Sequence, residues 1–115
     1  MKILFVLACA ALAVMFFQNF GDYFDPYMTK WWIFAPAHFT AGLFLGILGM
    51  YLAHGLRWQK ALVPVLVLVI FVGIAWEIME YALFIDLHWY DTALDIMLDM
   101  LGGYAGYRLI GEHRA

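Results

Sequence analysis

Five carboxylates and one histidine stand at spacings that place them on common helical faces. Glu77 and Glu80 are three residues apart, and Asp91, Asp95 and Asp99 follow one another in steps of four. Residues three or four apart stack on one side of an α-helix. His38 sits in a separate apolar stretch. Each of these side chains is a metal ligand or a proton carrier. Oxygen donors suit a hard divalent ion such as Mg²⁺, Mn²⁺ or Ca²⁺, and an imidazole also admits Zn²⁺ or iron. Glu-x-x-Glu with a separate histidine resembles part of a di-metal carboxylate bundle, but such bundles repeat Glu-x-x-His. That motif is absent, so a di-iron oxygenase is a poor fit.

The elements carrying these residues belong to a membrane. Of 115 residues, 67% are hydrophobic and 13% charged, against about half and about a quarter in soluble domains. A soluble fold this small buries only about 60–70% of its chain surface. A net charge of −3 excludes the basic patch of a nucleic-acid-binding domain, and one cysteine excludes a disulfide framework. The expectation is an all-α integral membrane bundle of four transmembrane helices forming one domain over residues 1–115. The spans fall at approximately 3–17, 33–53, 61–84 and 91–110.

Residues 3–17 follow Lys2 and also fit a signal peptide, with Ala11-Leu12-Ala13 as a cleavage motif. A retained helix is the preferred reading, and Cys9 is then an inert membrane residue. Residues 18–32 interleave aromatic and polar groups, as an exposed loop or an interfacial segment would. Gly42-xxx-Gly46 is a small-residue pattern for close helix approach, read first as internal packing and second as a dimer contact. The stretch from His54 to Lys60 reads as a basic loop. Lys2, Arg57, Lys60, Arg108 and Arg114 fall on one side of four spans and Lys30 on the other. The excess predicts both termini in the cytoplasm.

The acids then gather at one level. At 1.5 Å per residue, Asp95 lies about 6 Å and Asp99 about 12 Å along the fourth span, and His38 about 8 Å along the second. Glu77 and Glu80 occupy the outer third of the third span. A charge at a helix centre costs about 3 kcal/mol or more on insertion scales, so these groups need protonation, solvation or a bound cation. Two blander readings compete. Asp91 is well placed to cap the fourth helix, and the cluster as a whole would also serve as a structural hydrogen-bond network.

His38-Phe39, the run Trp76-Glu77-Ile78-Met79-Glu80-Tyr81, and Tyr90 to Asp99 followed by Gly102-Gly103 resemble the YjdF-type predicted inner-membrane proteins. More distantly they are similar to the VanZ-like group. The resemblance covers about 65 residues, from His38 to Gly103, and family members are usually longer. It implies a multi-pass protein of the bacterial inner membrane. Through the VanZ-like association with the cell envelope and glycopeptide resistance, it leans towards envelope lipids. It supplies architecture and no reaction.

Three functions follow as expectations. The first is a metal-dependent membrane enzyme, a hydrolase or transferase acting on a lipid or lipid-linked phosphate. His38, Asp91, Asp95 and Asp99 would be its ligands, with Glu77 and Glu80 as candidate catalytic bases. The cofactor would be a divalent ion: Mg²⁺, Mn²⁺, Ca²⁺ or Zn²⁺. The missing arginine clamp counts against phosphate chemistry. The second is an accessory subunit of a larger membrane complex. The third is cation or proton binding or transport in a homo-oligomer; the apolar run Ala61–Ala75 argues against a pore through one subunit. Membrane lipids are the expected partners.

Overall fold

A computed structural model describes residues 2–26, 30–83 and 89–112, with Trp31, Trp89, Tyr90 and Asp91 described by their backbone alone. Among the described residues the chain is all helical: α1 (Lys2–Phe24), α2 (Trp31–Gly55), α3 (Leu62–Leu83) and α4 (Trp89–Ile110). Helices α1, α2 from Trp32, and α3 are each long and apolar enough to cross a membrane. At 22 residues, α4 matches α3 in length, but it carries Asp91, Asp95, Asp99 and Arg108.

Two expected boundaries are corrected. The first helix does not stop at Phe17 but runs through Phe24. Its last turns are held by i,i+4 pairs: the Gln18 amide donates to Asp22, and Phe20 lies against Phe24 with ring centres 4.6 Å apart. Pro26 follows just beyond, where a helix cannot easily continue. His54 likewise belongs to α2, not to a loop. That helix ends in a Schellman turn: the Trp58 N–H donates to the Ala53 carbonyl at 2.9 Å and the Arg57 N–H to that of His54 at 3.1 Å. Arg57 takes the left-handed position with φ of 58°, where glycine is usual.

The outward faces of α1 and α3 are apolar, with Phe5, Leu12 and Phe16 exposed on one and Val63, Val67 and Phe71 on the other. Such surface suits lipid. Inside, α2 is central and packs against α1, α3 and α4, most extensively against α4. The contact is a glycine seam. A Cβ on Gly42 would meet the backbone of Asp99, one on Gly46 the backbone of Gly103, and one on Gly102 the carbonyl of Phe39. Gly42-xxx-Gly46 therefore packs internally. The pairs 42/99 and 46/103 advance together, so α2 and α4 run parallel. The same offset of 57 residues recurs at the far end, where His54 Nε2 meets the Gly111 carbonyl at 2.8 Å. Helix α3 runs the other way along α4: Gly73 meets Asp99 and Val69 meets Gly103. Ile47, Met50, Val65 and Val69 are fully buried between these three helices.

Candidate metal centre

The seam fixes the site. One turn before Gly42/Asp99, the parallel register pairs His38 with Asp95. One turn beyond Gly73/Asp99, the antiparallel register pairs Glu77 with Asp95. His38, Glu77 and Asp95 each offer a ligand atom, and the three atoms lie within 4.8 Å of one another. Two ligands held about 2.1 Å from one ion stand no more than about 4.2 Å apart. Small side-chain adjustments would therefore close the set around a cation.

The histidine is gripped from both sides. Its Nε2 is 3.3 Å from Asp95 Oδ2, and its Nδ1 is 3.5 Å from Asp99 Oδ1. Asp99 is only 5% exposed. With Nδ1–H directed to Asp99, Nε2 carries the free lone pair on the side of Asp95 and Glu77. With an ion bound at Nε2, Asp99 would be the outer carboxylate that fixes the tautomer and raises ligand basicity. Glu77, 6% exposed, accepts on Oε2 from the Thr92 hydroxyl at 3.4 Å. Its Oε1 is buried with no hydrogen-bond donor among the described residues. A buried unsatisfied oxygen costs about 1–3 kcal/mol, which a ligand in this position would relieve.

Of the residues singled out in the sequence, His38, Asp95 and Asp99 come together, and Glu77 joins them from α3. Glu80 is also buried, but its Oε1 accepts a hydrogen bond from the Trp76 indole one turn earlier on the same helix. Asp91 lies in the first turn of α4, and its side chain is outside the described residues. Three contributors were not anticipated. Thr92 holds Glu77, and its i,i+3 spacing from Asp95 was the available signal. Trp76 holds Glu80 at i,i+4. Gln18, assigned to an interfacial segment, lines a cavity of about 180 Å³ with His38, Trp76 and Asp99.

At the opposite end the tail is clasped. Glu112 accepts from the Ala61 N–H at 3.0 Å and the Tyr107 hydroxyl at 2.5 Å. The Tyr107 hydrogen bond, then that of Ala61, hold its carboxyl below the usual glutamate range, aided by the Lys60 charge. Gly111 closes α4 with φ of 78°, its N–H donating to the Tyr107 carbonyl at 2.9 Å. No family profile, curated protein or solved structure matches this chain.

Proposed function

We propose that this chain is a four-span protein of the bacterial inner membrane, both termini cytoplasmic, that binds a divalent cation between His38, Glu77 and Asp95. The observation that carries this reading is the buried Glu77 Oε1, which has no donor among the described residues and stands beside an imidazole and a second carboxylate. One nitrogen and two oxygens suit Zn²⁺ or Mn²⁺, leaving positions for water or a substrate oxygen. The inward placement of Asp95 and Asp99 supports α4 as the fourth span, since intramembrane acids face the bundle interior. The Lys and Arg excess supports the orientation.

The chemistry follows from depth and donor set. A bound divalent ion would polarise a phosphoryl oxygen and acidify a bound water. Glu80, buried on the same helix, is the proton acceptor in this reading, and a phosphate-bearing envelope lipid the substrate. The test is the metal content of purified protein by elemental mass spectrometry. About one ion per chain, lost in Asp95→Asn, is expected. Metal-free protein that takes up none of Zn²⁺, Mn²⁺, Mg²⁺ or Ca²⁺ overturns the reading.

A further inference from the structure

The cavity beside His38 does not end at the site. A second, apolar hollow of about 290 Å³ adjoins it, and the two share Val14 of α1, Ala41 and Leu45 of α2 and Val72 of α3 as walls. The combined space is a groove over α2, between α1 and α3. Its upper end is lined by Gln18, His38, Trp76 and Asp99, and its lower end by Ala11, Met15 and Phe44, with no polar side chain. Gln18 to Ala11 spans about 10 Å of helix, so the groove runs along the bundle axis. Met15, at the rim, is 60% exposed, and the groove opens there to the surface that faces lipid. The lining residues on α1 recur at 11, 14, 15 and 18, which is one helical face.

A polar end joined to a narrow apolar trough is the shape of one amphiphile. We infer that the groove takes one acyl chain of a phosphate-bearing membrane lipid from the side, with its head at the end lined by His38 and Asp99, where His38 is shared with the His38, Glu77 and Asp95 set. The tail assignment stands on the groove alone. The phosphate rests on the divalent-ion reading, because four nearby carboxylates would repel a phosphate that no cation bridges. Lateral entry also suits the bundle, since a lipid tail need not leave the hydrocarbon to reach the site. Substrate binding and water exclusion are then one event: a seated tail fills the apolar trough and leaves the polar end for the head.

The experiment is photo-crosslinking of the full chain in nanodiscs with a lysophosphatidic acid bearing a diazirine in its acyl chain, mapped by peptide mass spectrometry. Expected labelling concentrates on Val14, Met15, Leu45 and Val72 and falls at least tenfold in Ala11→Phe, which fills the lower hollow. Metal content of Ala11→Phe stays at the wild-type level, because Ala11 lines only the apolar hollow and not the cavity beside His38. If Ala11→Phe does not fold, Phe44→Trp serves the same purpose. Labelling spread evenly over outward residues such as Phe5, Leu12 and Phe71, and unaltered by either substitution, overturns the inference. A chain that is labelled in the groove yet holds no metal sustains the tail site and overturns the ion reading. A chain that holds metal without groove labelling does the reverse.

Discussion

His38 and Asp95 face each other in the register that pairs Gly42 with Asp99 and Gly46 with Gly103, one turn before Gly42 and Asp99 on the same two parallel helices. The 3.3 Å contact between their side chains is therefore a consequence of backbone packing. Whatever separates α2 from α4 also opens the site.

The glycine seam should be intolerant of a single methyl group. In Gly102→Ala the new Cβ would meet the Phe39 carbonyl, which is backbone and cannot turn aside. Overpacking of this kind costs about 1–3 kcal/mol. Gly55→Ala, whose Cβ would meet nothing within 4 Å, should be neutral or slightly stabilising. Thermal unfolding of both variants in detergent makes the comparison; equal midpoints would contradict the seam.

Asp99 would act on a bound ion through His38, whose Nδ1 it faces at 3.5 Å. Asp99→Asn should keep the bundle folded and weaken metal affinity about 10–100-fold, the usual effect of losing an outer-shell carboxylate. His38→Ala should abolish binding. Competitive titration with a fluorescent Zn²⁺ chelator reads both. Equal affinity in Asp99→Asn and wild type would remove Asp99 from the site.

Glu77 is expected to trade stability for function. Its Oε1 has no donor among the described residues, so Glu77→Leu should raise the stability of metal-free protein by about 1–3 kcal/mol. The same change should eliminate metal uptake. Unfolding in the presence of a chelator, alongside metal analysis, tests the pair; a destabilised Glu77→Leu would show that the carboxylate is well satisfied without an ion.

Arg57 occupies the left-handed position of the α2 cap at a cost of about 1–2 kcal/mol. Arg57→Gly should recover roughly 1 kcal/mol. A rise in the unfolding midpoint checks it, and a fall would mean that the arginine head makes a compensating contact.

The Glu112 clasp sets a pH dependence. Its folded carboxyl is held below the usual glutamate range, so the contribution is fully present above the unfolded value. It is lost as pH falls through the lowered folded value. Glu112→Gln should therefore be less stable than wild type near neutrality, and the two should converge in acid. Parallel melting curves from pH 7 downwards decide it; a difference that grows on acidification has the wrong sign.

The sequence by itself determined the helices and the membrane. Three stretches of 22 to 24 residues with high mean hydropathy admit little else, and the end of α1 was misplaced because aromatic and amide side chains read as interfacial while still pairing at i,i+4. It also determined which acids share a helical face. It did not determine which of them meet. Glu77 and Glu80 are three residues apart and so diverge by about 60° around α3. Only the rotation of that helix against α4 decides that Glu77 reaches Asp95 while Glu80 turns to Trp76. That rotation is fixed by Gly73 against Asp99 and by the α2–α4 seam, long-range contacts that spacing along one chain does not encode. The groove is decided the same way, because it is bounded by side chains from three helices and exists only once α1 and α3 have both packed on α2.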